Sequence, residues 1–486
     1  KISNWQVEPV LQYKSNLGPG KLEVLIGQSW HAKHNRSMQT RAWNNKSDEY
    51  IGTLSNAATI ETTLNNTDYY YHGIYSRINY NLFNKYIINL TGRRDGSSRF
   101  GPGRRYSNFG AAGLAWIFSE EGWTRKHLPF LSFGKLRGNY GVTGNDNIGD
   151  YMYLDAWSPT STAYIYDGQT GLAPSRLFNP DYSWEKNLKM EWAIELGFLK
   201  DRLLLSFNYY RSRAGNQLIN YTLPGQVGFT SILKNFEAVI QNYGWEWTID
   251  YKAIQKELKW TISLNSSVAK SKLLSFPGIE KNSYSNTYAV GSPVPRGMYY
   301  SFLGLNTTTG LFDVKTGSLK DRVELPYFST PWFYGGLYNS VEYKGFSLDV
   351  FFQFVGQKQL SYMSRLTAPG AMVNQPAIVL DRWQKEGDAA RFQRYTTGGA
   401  AATAFNNFKN STASSVDGSF IRLKNLSLSY SFNKKLLDRF KLKGLSLFFR
   451  GQNLALITNY ELGDPESGGV GNPLLKVYTG GLRLSI

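Results

Sequence analysis

Apolar character returns at every second position over long stretches of this chain, and the stretches come in pairs separated by tight breaks. In NLKMEWAIELGFLKDRLLLSFNYYRSRAGN, residues 187–216, Met190, Trp192, Ile194, Leu196 and Phe198 share one parity while Glu191, Ala193, Glu195 and Gly197 hold the other. After Lys200 and Asp201 the pattern restarts with Leu203, Leu205, Phe207 and Tyr209 against Ser206, Asn208 and Tyr210. A period of two is that of a β-strand, and the short break makes the pair a hairpin. The same alternation runs through Ile74, Ile78, Tyr80 and Leu82, then Tyr86, Ile88 and Leu90; through Trp245, Trp247, Ile249 and Tyr251, then Trp260, Ile262 and Leu264. It returns at Phe346, Leu348, Val350, Phe352 and Phe354, at Leu445, Leu447 and Phe449, and at Tyr478, Leu482, Leu484 and Ile486. The spacing predicts about fifteen strands, many of about ten residues or more, where strands of soluble proteins usually stop near five or six.

The connections alternate as well. Short ones fall at 16–20, 83–85, 200–201, 255–257 and 344–345; between them lie long ones at roughly 41–67, 143–186, 215–235, 273–330 and 357–418. On the short side NKKLLDRFKLKG at 433–444 is the longest link, with 119–129 close behind. Short turns at one end and long loops at the other predict an all-β fold, an antiparallel transmembrane β-barrel wall with long extracellular loops and short periplasmic turns. A propeller or a sandwich shows no such regular asymmetry. No linker suggests a second folded domain, so residues 1–486 read as one stretch of wall.

On that reading the two parities meet two solvents. Trp192, Trp247, Trp260 and Phe352 are expected to face lipid, and Arg77, Glu191, Glu195, Asp349 and Arg450 to face a wet lumen, where they would contact a plug or line a substrate path. The mean hydropathy of −0.38 is compatible with this, because only alternate residues would meet lipid. No run of about 18 apolar residues exists to make a membrane helix.

Composition sharpens the picture. Aromatics make up 15% of residues, with 33 Tyr, 28 Phe and 13 Trp, and 47 Gly are added to them, a bias toward strands, turns and interfacial belts. Cysteine is absent, which excludes disulfides and thiolate metal sites. The net charge of +18 invites a nucleic-acid reading, but Lys and Arg are spread along alternating strands rather than gathered on a helix, ribbon or tail. Basic residues at rims and in loops would instead meet anionic lipid, lipopolysaccharide included, or an acidic solute. KISNWQVEPVLQYKS carries no signal peptide, although a lipid-facing barrel must be exported, so a mature or truncated product is expected.

Catalytic chemistry has no footing in the sequence, and the chain does not read as an enzyme. His31 and His34 in HAKH point to opposite faces of a strand, and His72 and His127 lack acidic or thiol partners nearby. Glu191 and Glu195 share a face, but inward carboxylates on a wet wall explain them without the set separation that glycosidases need. GSSRFGPG at 96–103 lacks the helix of a dinucleotide fingerprint. No cofactor is expected; NDNIGD at 145–150 offers oxygens for calcium without the full EF-hand pattern. The long loops, rich in Gly, Ser, Thr, Asn and Tyr, hold the candidate substrate-binding residues Trp157, Tyr164, Tyr166, Arg382 and Trp383. Aromatic rings there would stack on sugars or clamp a peptide; packing of the loops against one another is the alternative for each.

Five blocks carry a family resemblance: RRDGSSRFGPGRRYSNFGAAGLAWIFSEE at 93–121, LRGNYGVTGNDNIGDY at 136–151, VLDRW at 379–383, SFIRLKNLSLSYSF at 419–432 and FRGQNLALIT at 449–458. In this order they resemble the C-terminal half of SusC/RagA-like TonB-dependent outer-membrane transporters of Bacteroidota. The resemblance implies a 22-stranded barrel filled by an N-terminal plug. It implies import of glycan oligosaccharides or peptides through the outer membrane of a Gram-negative bacterium, with a SusD-like lipoprotein as lid and coupling through TonB. The signal, TonB box, plug and early strands of that pattern have no counterpart here. The odd strand count points the same way, since bacterial single-chain barrels have even numbers, so the chain is expected to open mid-barrel. Family members often finish on an aromatic residue, whereas this chain ends at Ile486. Two other readings share parts of the pattern: a passive porin or structural barrel without plug or energy coupling, and a soluble β-protein that binds polysaccharide.

Overall fold

A computed structural model of the chain describes residues 1–45, 47–50, 52–159, 165–167, 169–281, 283–318, 321–328, 330–439, 441–461, 463–468 and 472–485. One antiparallel sheet of 16 strands dominates it. Ile2–Val7 and Val10–Leu17 pair with the same neighbour on either side of Pro9, which has no N–H for a ladder, so they form one interrupted strand, β1. The sheet is therefore fifteen strands wide, and its order follows the sequence throughout. Its members are β2 (Gly20–Asn45), β3 (Ala57–Leu82), β4 (Tyr86–Ser97), β5 (Tyr106–Trp116), β6 (Leu131–Asn145), β7 (Glu185–Phe198) and β8 (Leu203–Gly215). Then come β9 (Val239–Gln255), β10 (Leu258–Ser275), β11 (Phe333–Tyr343), β12 (Phe346–Gly356), β13 (Phe420–Ser431), β14 (Gly444–Thr458) and β15 (Val477–Ser485).

Turns and loops segregate to opposite ends of this meander, as the alternation of connection lengths predicts. The β11–β12 turn is two residues, Lys344 and Gly345, with φ of 45° and 91°, the positive pair that a tight hairpin of matching twist requires. The two longer links at the turn end carry short helices, Gly122–His127 and Lys434–Arg439. At the other end one expectation fails: residues 41–67 are mostly strand, because the β2–β3 ladder continues to Asn45↔Ala57. Thr and Asn recur in that stretch on both parities and hide the period, yet backbone pairing does not need an apolar face. Beyond Asn35, where β1 stops pairing, and before Tyr71, where β4 starts, β2 and β3 form a two-stranded ribbon whose side chains are mostly exposed past Arg36 and Asn66, while Tyr69 at its base is buried with its hydroxyl on Asp146.

The register gives each parity a continuous face. Tyr80, Ile88, Leu114, Gly138, Trp192, Tyr209, Trp245 and Val268 lie side by side across eight strands. Another row runs from Leu196 through Leu205, Ile249, Leu264 and Leu337 to Phe352. Trp247 pairs with Phe207 and Trp260 with Val341 on the same face. The first row is the more open, with Trp192 60% exposed and Leu114 62%, while the second is half-buried among its own neighbours. An apolar surface of this extent on a sheet is far beyond the few hundred Å² that a soluble monomer tolerates.

Buried cores lie in the loops instead. Phe100, Tyr153, Tyr182 and Trp184 pack together, joining the β4–β5 and β6–β7 connections, with Leu218 and Leu233 of the β8–β9 connection against them. Asn179 donates to the Leu233 carbonyl and Asn235 to the Ser183 carbonyl, both at 2.8 Å, which ties the loops by buried polar contacts. A second core holds Phe312, Phe405 and Phe408, the latter two on a helix, Gly399–Lys409. The Tyr182 ring is fully buried, and its hydroxyl has no partner among the described residues. Burial, reinforced by Glu185, pushes that phenol up to about 12 from its ordinary 10. A raised acid pKa contributes stability that is complete below pH 10 and is lost as pH climbs toward 12. Tyr182→Phe is expected to remove this alkaline loss and, by deleting a buried unpaired hydroxyl, to leave the loop core as stable or about 1 kcal/mol more stable at neutral pH. Tryptophan fluorescence during pH titration of both proteins checks it; identical alkaline transitions would refute the assignment.

Candidate functional site

Opposite the apolar rows the sheet carries a charged surface. Its densest point is Arg137 on β6, which the ladder sets across from Ala193 and hence between Glu191 and Glu195 on β7. Arg137 donates to Glu191 at 2.6 Å, to Glu195 at 3.1 Å and to Asn208 at 3.2 Å, while Lys135 reaches Glu195 at 3.4 Å. Alternation forces the grouping, since positions two apart on one strand flank a single position on the next. The side chains of this network are about a third exposed, so the charges stay hydrated and exchangeable.

The other residues expected on this face are there by register. Arg77 bonds Glu23 at 3.1 Å, and Glu23 also accepts from Gln12 at 2.6 Å. Asp349 accepts the Tyr338 hydroxyl at 2.5 Å. Arg450 shares a row with Ser427, itself opposite Asp349, and stacks over Phe448 with its guanidinium carbon 5.0 Å from the ring centre. Arg137 and Lys135 were not among the expected site residues. Their parity in KLRGNY is legible, but which strand they oppose depends on register, which no single segment encodes.

At the loop end the expected substrate residues separate into different situations. Trp157 is 59% exposed on a short strand, Ala156–Pro159, with its indole N–H directed to Asp155 at 3.3 Å. Trp383 is half-buried and donates to the Thr307 carbonyl at 2.9 Å, while Gly310 lies so close to its ring that a Cβ would collide at 2.4 Å. It therefore fastens the β10–β11 loop to the β12–β13 loop. Arg382 stacks over Tyr395 at 3.7 Å. Tyr164 lies outside the described residues; Tyr166 is placed by its backbone pairing with Gln169, its side chain outside them. In NDNIGD, Asp150 is bonded by Arg99 at 2.8 Å and Asp146 by the Tyr69 hydroxyl at 2.7 Å. His31 bonds Asn4 and His34 bonds Asp68, each on its own face of β2.

Two faces of opposite chemistry, short turns at one end and interlocked loops at the other agree with what known proteins show. The family model described as TonB dependent receptor-like, beta-barrel, matches residues 3–454. TonB-dependent receptor P39 of Formosa agariphila is 27% identical over 88% of this chain and 46% of its own length. TonB-dependent receptor SusC of Bacteroides thetaiotaomicron is 25% identical over 98% of this chain and 49% of its own. The solved structure of the RagAB peptide transporter shares the fold, with a TM-score of 0.85 and 23% identity over 100% of this chain and 55% of that one. The chain spans about half the length of the curated relatives it matches. With its alternating antiparallel wall matched almost from end to end, the chain belongs to the TonB-dependent receptor-like β-barrel family.

Proposed function

We propose that this chain forms the wall and outer loops of an outer-membrane importer that takes up oligomeric nutrients, glycan oligosaccharides or peptides, with energy supplied through TonB. The observation that carries the reading is the segregation of faces: exposed Trp, Leu and Phe on one parity, hydrated ion pairs on the other, over a sheet whose family is that of TonB-dependent receptors. The apolar parity then lies in lipid and the charged one lines the lumen, where Arg137, Glu191 and Glu195 are placed to bind a plug or a passing polar solute. The long loops lie outside the cell, and Trp157, Tyr166, Arg382 and Tyr164 stand among the residues that would meet substrate beneath a SusD-like surface lipoprotein. Likeness to SusC and to the RagAB transporter supports such a partner and leaves sugar and peptide cargo equally open.

The deciding experiment is uptake of labelled oligosaccharide and peptide pools by cells carrying the full-length protein, with TonB present or deleted. Accumulation that needs TonB supports active import; equal accumulation without it makes the barrel a passive pore. The facing assignment has its own test. Trp192→Arg and Phe352→Arg should each cost about 2–4 kcal/mol of folding stability in bilayers if those positions sit near mid-depth, whereas Asp349→Asn should cost little. Urea titration read by heat-modifiable gel mobility measures this, and equal costs on both faces would reverse the conclusion. Arg137→Gln should change stability by no more than about 1 kcal/mol, because its ion pairs are hydrated. Uptake by the same variant should fall, so unchanged uptake would remove Arg137 from the transport path.

A further inference from the structure

Near the loop end, the apolar face of β7 to β10 changes chemistry within one step. Beyond the row Trp192, Tyr209, Trp245 and Val268 comes the row Met190, Arg211, Tyr243 and Lys270, and beyond that Leu188, Arg213, Gln241 and Lys272. Four cations thus stand on two neighbouring rows. The carboxylates of these strands, Glu185, Glu191, Glu195, Glu246 and Asp250, have the opposite parity and lie on the other face, Glu185 accepting from Asn145 and from the Leu218 N–H. Among the described residues no ion pair reaches Arg211, Arg213, Lys270 or Lys272, in contrast to Arg77, Lys135 and Arg137 across the sheet. Arg213 donates to Gln241 at 2.9 Å, Arg211 rests on the Met190 sulfur at 3.8 Å, and the Lys272 ammonium is 5.9 Å from the centre of the Tyr243 ring. Clustered like charges repel one another, and an anion between them would relieve that cost.

Position selects the anion. Phe198 and Leu203 begin the apolar face at the turn end, and Arg211 and Arg213 lie eight and ten residues further along β8. At about 3.4 Å per residue and a tilt of about 40°, these rows stand roughly 20–25 Å above the start of the band, which is the height of a barrel's apolar belt. The cations therefore meet the headgroup layer of the loop-side leaflet, with Trp192 and Trp245 in the acyl region just below. A cavity of about 400 Å³ opens beside the lysines, walled by Tyr243, Pro293, Tyr327 and Trp332. The carboxylate on its lining, Glu324, is occupied by Arg296 at 2.8 Å and Ser292 at 3.1 Å. Apolar and aromatic walls beside unpaired cations fit an amphiphile with a phosphate on a bulky headgroup.

We propose that Arg211, Arg213, Lys270 and Lys272 form a binding site for the phosphorylated headgroup of a lipid in the loop-side leaflet. The site rests on the reading that this face lies in lipid. The test uses the full-length protein in vesicles of phosphatidylethanolamine containing a minor fraction of lipid A, either intact or with its phosphate removed. Lipid retained after detergent extraction is read by mass spectrometry. Wild type should retain intact lipid A about tenfold over the dephosphorylated form, the scale of one charge-assisted hydrogen bond. Arg211→Gln/Arg213→Gln/Lys270→Gln/Lys272→Gln should abolish that preference, and Lys200→Gln/Lys256→Gln at the turn end should keep it. Wild type that inserts but retains both lipids equally overturns the site while sparing the barrel; wild type that fails to enter vesicles overturns the lipid-facing reading itself. Loss of the preference in millimolar inorganic phosphate would assign the cations to free phosphate and likewise overturn the lipid site.

Discussion

Lateral backbone pairing is the constraint on which the rest of this molecule depends. Each interior strand of the sheet meets its ladder on both sides, so the hydrogen-bonding demand of the main chain is satisfied within the sheet, without help from either face. Side chains are then free to serve two environments that have nothing in common. That freedom explains how Trp192 and Glu191, adjacent in sequence, sit respectively on an open apolar surface and in a hydrated ion network. In a soluble sandwich the same alternation would be spent on building a core; here, among the described residues, the buried clusters sit at the loop end and the body of the wall carries none.

Charge is used differently in the two regions. Along the wall the pairs of Arg137 with Glu191 and Glu195 remain about a third exposed, which keeps their net contribution small. In the loop end, Arg422 and Asp464 meet at 2.5 Å with side chains only 3% and 4% exposed. A pair desolvated to that degree contributes little net stability but penalises any state in which one partner leaves. It holds the β14–β15 connection over the end of β13, and Gln357 and Gln359 strengthen the hold by donating to the Pro465 carbonyl. Hydrated charge in the wall and desolvated charge at its loop end fit the proposed importer.

Much of this was legible in the sequence because a period of two survives any register. The number of strands, the two faces and the segregation of turns from loops follow from parity and from breaks such as Lys344-Gly345. Register-dependent facts were not legible. Arg137 could be given a face from KLRGNY but not a partner, because pairing with β7 is reached across a connection of nearly forty residues that packs against the neighbouring loops. Interior structure of the loops escaped for a different reason. Ala401, Phe405 and Phe408 recur at helical spacing inside a stretch rich in Gly, Thr and Asn, and a short helix there is stabilised by Phe312 from a distant loop rather than by its own sequence. Trp383 shows the limit for function: stacking on substrate and packing between loops were both open from the sequence, and the structure makes the residue a joint between two loops.

The ribbon formed by the far ends of β2 and β3 has a practical consequence. Past Arg36 and Asn66 its strands pair only with each other, and most of their side chains are exposed. Strain introduced at the tip between Asn45 and Ala57 can be absorbed by the last rungs of that ladder before it reaches any strand of the wall. The tip is accordingly the natural position for an inserted epitope or fluorophore, a handle by which the protein could be counted and tracked on living cells while its wall and loop cores are left alone.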